Sequence, residues 1–156
     1  MKIRSLLIDD NKFIATVLAD LLQENHPDIE ILDIAHNGTE GIEKIKQHQP
    51  EIIFLDIEMP DMNGFEMLQK LDVINFQTIF TTAHSHYAIK AFKFNALDYL
   101  LKPSDESELA ATIRRYKSHK STTNHKEVEH TLDNLKLKKS EDQKLVLPTQ
   151  NGTLRI

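Results

Sequence analysis

Five residues in this chain have the types and the positions to work on a phosphoryl group: Asp9, Asp10, Asp56, Thr82 and Lys102. Each stands at the end of a short apolar run. Asp56 closes Ile52-Ile-Phe-Leu55, and Asp9-Asp10 close Met1-Lys-Ile-Arg-Ser-Leu-Leu-Ile8. Thr82 follows Thr78-Ile-Phe-Thr81, and Lys102 follows Ala96-Leu-Asp-Tyr-Leu-Leu101. With ordinary carboxyl pKa values of about 3.9, the three aspartates would all tend to ionise at neutral pH. Crowded together they repel one another, which favours a hard divalent cation such as Mg2+, whose remaining ligands are water and phosphate oxygens. An aspartate carboxylate can attack phosphorus and become an aspartyl phosphate. The metal and the Lys102 ammonium would offset charge on the group in transfer, and the Thr82 hydroxyl could hydrogen-bond one of its oxygens.

Taken singly, these residues have plainer roles: Asp10 can cap a helix and Asp56 can start a turn. The ordered set carries the reading, because one architecture brings all the run ends to one edge. Apolar runs without alternation, rich in β-branched residues, read as strands buried on both faces of a parallel sheet. Between them the spacing is helical. Phe13, Ile14, Val17, Leu18, Leu21 and Leu22 predict a helix with these residues on one face, stopped at His26-Pro27 because the residue before proline leaves the α region. Ile29 to Ala35 reads as another strand, and Thr39 to Gln47 as a short helix entered through Asn37-Gly38. The turn Met59-Pro-Asp-Met-Asn-Gly64 leads to a helix through Phe65, Leu68 and Leu71, and His86 to Phe94 is a further helical piece. Ser104 is the expected N-cap of a last helix, with Asp105 and Glu106 in its first turn and Leu109, Ile113 and Tyr116 as its buried stripe. The sum is α/β: a (βα)5 doubly wound, five-stranded parallel sheet with helices on both faces and the strand ends on one rim.

A length of 156 residues suits one ordinary domain plus something smaller, and a 40% apolar content supports a core. The absence of cysteine excludes disulfides and thiolate metal sites. The first apolar run is short and is broken by Asp9-Asp10, unlike a secretory signal, and no stretch has the roughly 20 apolar residues of a membrane span. A cytoplasmic protein without membrane attachment is the expectation. The net charge of −5 comes from residues 1–116, whereas 117–156 hold more base than acid. The acidic body argues against nucleic-acid binding by this first part, and the tail's charges read as a solvated linker. Val128, Leu132 and Leu135 allow a short amphipathic helix within residues 118–143. Lys144 to Ile156 reads as two strands about a turn at Asn151-Gly152, the opening of a second domain cut short.

Residues 1–117 resemble the receiver domain of two-component response regulators, a flavodoxin-like fold. The resemblance rests on Leu7-Ile-Asp-Asp10, Leu55-Asp-Ile-Glu-Met-Pro60, Asn63-Gly64, Thr82-Ala83 and Leu101-Lys102-Pro103. It implies that Asp56 is the phosphoacceptor for a sensor histidine kinase. It further implies that Asp9, Asp10, Asp56 and the backbone carbonyl of Glu58 bind Mg2+, that Lys102 contacts the phosphate, and that Thr82 and Tyr99 are a switch pair. By the same resemblance the Lys102–Pro103 bond is expected to be cis. The segment from Thr82 to Pro103 is similar to regulators of the LytTR class (LytR/AlgR type). Residues 144–156 would then open a mostly β DNA-binding domain, making DNA a partner through a part largely absent from the chain. Two features depart from the commonest pattern: the turn Pro60-Asp-Met-Asn-Gly64 lacks a second glycine, and positions 84 and 86 are both histidine.

Glu58 and His84 lie two residues past Asp56 and Thr82, a position from which their side chains would flank the phosphoryl group and tune its hydrolysis. Two histidines at 84 and 86 do not by themselves make a metal site, and none is assigned there. Tyr99 is otherwise only a strand aromatic. The face formed by residues 86–117 is the expected homodimer surface. Two other functions compete: a phosphohydrolase passing through an aspartyl phosphate, and a receiver-like module that binds proteins without phosphorylation. The first usually carries Asp-x-Asp after its first strand, where this chain has Asp9-Asp10-Asn11; the second would have lost an acid or the lysine.

Overall fold

The computed structural model describes residues 2–102 and 105–120. In chain order the elements are β1 Ile3–Ile8, α1 Lys12–Asn25, β2 Ile29–Ala35, α2 Gly38–His48, β3 Ile52–Asp56 and α3 Gly64–Gln69. They continue with β4 Gln77–Thr82, a 3-10 turn Ser85–Tyr87, α4 Ala88–Lys93, β5 Asp98–Leu101 and α5 Glu106–Lys120. The strands form one sheet in the order β2-β1-β3-β4-β5, and every pairing is parallel. Parallel neighbours need crossovers, which the helices supply, so all five strand C-termini reach the same edge. The chain divides into two compact units, Met1–Arg114 and Arg115–Ile156; the described part of the second is the end of α5.

The core grows from the apolar runs. All five residues of β3 are buried, as are Leu6, Ile8 and Phe80 on its neighbouring strands. Phe65 fixes α3 on the sheet, its ring 4.8 Å from Phe80 and 5.0 Å from Phe94. Burial of one such side chain contributes about 1.5–3 kcal/mol. Ser5, polar and fully buried, is satisfied by donating its hydroxyl to the Glu30 carbonyl at 2.8 Å, beside the register shift between β1 and β2.

Four details differ from the sequence expectation. In α1 the buried residues are Ala15, Ala19 and Leu22, with Ile14, Leu18 and Leu21 flanking them, while Phe13 (76% exposed) and Val17 point outward. At 100° per residue, positions 13 and 17 lie opposite Ala15, and the two alanines let the helix sit close on the sheet. Second, α3 ends at Gln69, so Leu71 lies beyond it, half-buried against the core. Third, Asp105 is the cap of α5 and not a first-turn residue: its Oδ1 accepts from the Glu108 amide at 2.8 Å. Fourth, Asp56 is the last residue of its strand and Thr82 the last of β4, each one place further into the sheet than its apolar run suggests. His26 caps the end of α1 as expected, and its ring meets Glu106 Oε2 at 2.8 Å, tying α1 to α5. Leu109, Ile113 and Tyr116 are buried. The Lys102–Pro103 bond, Ser104, the helix at 128–135 and the strands at 144–156 lie outside the described residues.

Candidate functional site

Strand ends build the site. Asp9 follows β1, Asp56 ends the central strand and Lys102 follows β5; with Asp10 they converge on the C-terminal edge of the sheet. Carboxylate oxygens of Asp9, Asp10 and Asp56 all lie within 4.8 Å of one another. The Lys102 ammonium is 2.7 Å from Asp9 Oδ2 and 3.4 Å from Asp56 Oδ1, and its side chain is only 13% exposed. Asp9 is further held by the Asn11 amide, which donates to its Oδ1 at 2.9 Å. The next residue's amide, Ile57 N–H, donates to Asp56 Oδ1 at 2.8 Å.

Three acids crowd here, and one ammonium bridges two of them, Asp9 and Asp56. Burial pushes the Asp56 carboxyl up to about 7; Lys102 pulls it back, while Asp9 and Asp10 push it further up, Asp10 also through a hydrogen bond. An ionised Asp56 is therefore costly in this arrangement unless another cation is present. The donor set is all oxygen, dense in charge and open on the Asp10 side, which suits a hard dication such as Mg2+.

The backbone around Asp56 is fixed by its own sequence. Asn63 and Glu66 form a reciprocal capping box on α3, each side chain taking the other's amide at 2.8 Å. Gly64 follows the cap with its amide bonded to the Ile57 carbonyl at 2.8 Å; a Cβ there would stand 2.7 Å from the Asp56 carbonyl oxygen. Only glycine lets the turn close against the end of β3. Asp61, in the same turn, accepts from the Gly38 amide, the Thr39 amide and the Thr39 hydroxyl at 2.9, 2.9 and 2.7 Å. It joins Asn37 in capping α2, and these bonds hold its carboxyl down at about 2 against the opposing effect of burial.

The remaining expected residues fall in a second cluster beside the first. Thr82 is fully buried, and its Oγ1 accepts from the His84 amide at 3.2 Å. The Tyr99 hydroxyl donates to the His84 carbonyl and accepts from the Tyr87 amide at 3.3 Å. The Glu58 and His84 side chains meet each other, Oε1 to Nε2 at 2.9 Å. The second Glu58 oxygen accepts from the Tyr87 hydroxyl at 2.8 Å, a contact that holds the Glu58 carboxyl below the usual range. Tyr87 and Asp61 were not among the residues expected from sequence. The Asn63-x-x-Glu66 spacing could have marked the capping box, but nothing in the linear pattern couples Tyr87 to Glu58, 29 residues away.

Known proteins resemble this chain in sequence and fold. The family described as response regulator receiver domain matches residues 6–114. An uncharacterized response regulatory protein of Vibrio cholerae is 46% identical over 112 residues, covering 71% of this chain and 47% of that protein. The transcriptional regulatory protein BtsR of Escherichia coli is 42% identical over 120 residues, covering 76% and 50%. The crystal structure of the response regulator domain of Thermotoga maritima CheB superposes with a TM-score of 0.66 at 29% identity, covering 74% of this chain and 96% of that domain. The chain spans about half the length of the curated relatives it matches.

Proposed function

Because the chain belongs to the response regulator receiver domain family, a component of two-component systems, we propose that Asp56 accepts a phosphoryl group from a sensor histidine kinase. The observation that carries this reading is the Lys102 ammonium set between Asp9 and Asp56 at the shared strand edge. An Asp56 oxygen attacks phosphorus, the phosphorus–nitrogen bond of the donor phosphohistidine breaks, and the imidazole leaves. Lys102 shifts from carboxylate to the new phosphoryl oxygens, and the buried Thr82 hydroxyl supplies a hydrogen bond to one of them. Asp9, Asp10 and Asp56 would hold Mg2+ with the Glu58 backbone carbonyl, and the bound ion supplies the positive charge that offsets crowding of carboxylates and phosphate.

The group stored on Asp56 is a signal and not a step toward turnover. Thr82 and Tyr99 form the switch pair in this reading, with Glu58 and His84 tuning the lifetime of the acyl phosphate. Output follows through a longer protein: residues 1–117 are the receiver, 118–143 a linker and 144–156 the opening of a LytTR-type DNA-binding domain. Support comes from relatives of twice the matched length, one of them named a transcriptional regulatory protein. A cytoplasmic location fits membership of the receiver family; separately, among the described residues no helix is long and apolar enough to cross a membrane. Incubation with acetyl phosphate and Mg2+ followed by intact-mass measurement tests the core claim. Wild type should gain one phosphoryl group and Asp56→Asn none; equal gain in both, or gain in neither, would refute it.

A further inference from the structure

Five contacts converge on the short segment 84–87, and they come from two sides. From the switch side come the Thr82 hydroxyl, bonded to the His84 amide at 3.2 Å, and the Tyr99 hydroxyl, bonded to the His84 carbonyl and the Tyr87 amide. From the acceptor side comes Glu58, two residues after Asp56, whose two oxygens divide between His84 Nε2 at 2.9 Å and the Tyr87 hydroxyl at 2.8 Å. The Tyr87 ring is in turn held between Phe65, 6.0 Å away, and His86, 4.1 Å away. Neither Thr82 nor Tyr99 can leave its present bonds without disturbing a segment that Glu58 pins.

We propose that the Glu58–Tyr87/His84 bridge is a latch on the unphosphorylated form, holding segment 84–87 where it retains the Tyr99 hydroxyl. This rests on Asp56 being the phosphoacceptor and goes beyond it, because it gives Tyr87 a role and makes the Glu58 side chain a brake. Phosphorylation releases the latch in two ways. A phosphoryl group carries a charge of about −1.5 to −2 and repels the Glu58 carboxylate two residues away. It also draws the Thr82 hydroxyl toward itself and off the His84 amide. The latch has the strength the task needs: Glu58 and His84 side chains are 51% and 44% exposed, so the bridge biases the two forms by a small factor that a covalent charge overcomes.

A bond made only in one form weakens every ligand that requires the other. Beryllofluoride with Mg2+, a mimic of the phosphoryl group, supplies the probe. The whole chain and its Tyr87→Phe variant, which keeps the ring against Phe65 and loses the hydroxyl, would be titrated while the amide signals of His84 and Tyr99 are followed by NMR. The variant should reach its midpoint at about threefold lower beryllofluoride, the size of effect an exposed charge-assisted contact supports. Its Tyr99 amide should also lie displaced, before any mimic is added, toward the mimic-bound position. Equal midpoints, or a higher one in the variant, with both proteins responding, would overturn the latch and leave the phosphoacceptor reading standing. No response in either protein would remove both.

Discussion

A buried acid beside two others and one lysine is better off holding a proton than a charge. Asp56, pushed up to about 7, binds a proton in the folded protein across a range where the unfolded chain, with its carboxyl at about 3.8, has released it. The sign follows: this group favours the folded state fully at low pH, and that contribution is lost as pH rises from about 4 through about 7. Without Mg2+ at pH 7.5, Asp56→Asn should therefore be more stable than wild type, by up to about 4 kcal/mol, and the gap should close near pH 4 or on adding Mg2+. Thermal melts at the two pH values check this; a destabilised Asp56→Asn at pH 7.5 would contradict it. The acids and Lys102 were legible in sequence because a strand end is a topological address: once the runs are strands of a parallel sheet, their ends must meet. Tyr87 was not legible, because its partner depends on how two rim loops cross, which no periodicity encodes.

Helices and turns decide how firmly the address is held. The loop leaving β3 is fastened at two points, by the Asn63–Glu66 box at the start of α3 and by Asp61 across to α2. Asp61, held down at about 2, stabilises the fold above pH 4, and that contribution fades as pH falls from about 4 to about 2. Asp61→Ala should cost about 1 kcal/mol at pH 7, the usual worth of a helix cap, and should flatten the acid limb of the stability profile. Denaturant melts at pH 7 and pH 2.5 measure both; an unchanged midpoint at pH 7 would show that Asn37 caps α2 sufficiently alone. Element order and the position of α1 were readable from the chain, but the face of α1 was not. Large apolar residues mark a helix as amphipathic, and here two alanines mark where it touches.

At the scale of the molecule, the strand order β2-β1-β3-β4-β5 puts Asp56 on the middle strand and Tyr99 on the edge strand β5. Ile89 on α4 and Leu101 at the end of β5 are exposed apolar residues on that side. With Mg2+ and beryllofluoride, light scattering on the whole chain should show a shift from monomer toward dimer through the face of residues 86–117. An unchanged mass at concentrations that saturate the Tyr99 response would rule that face out as the output. The charge of the acidic first part was plain in composition, yet the sharing of one lysine by Asp9 and Asp56 needed coordinates. All of β3 is buried, whereas residues 84–86 lie exposed on the rim. Buried central strands open only with the whole fold, and exposed loops open many times in between. Under the proposed reading, a mark on Asp56 would sit in slow-changing backbone and be read through fast-changing backbone, so that it could be consulted repeatedly before the record itself is disturbed.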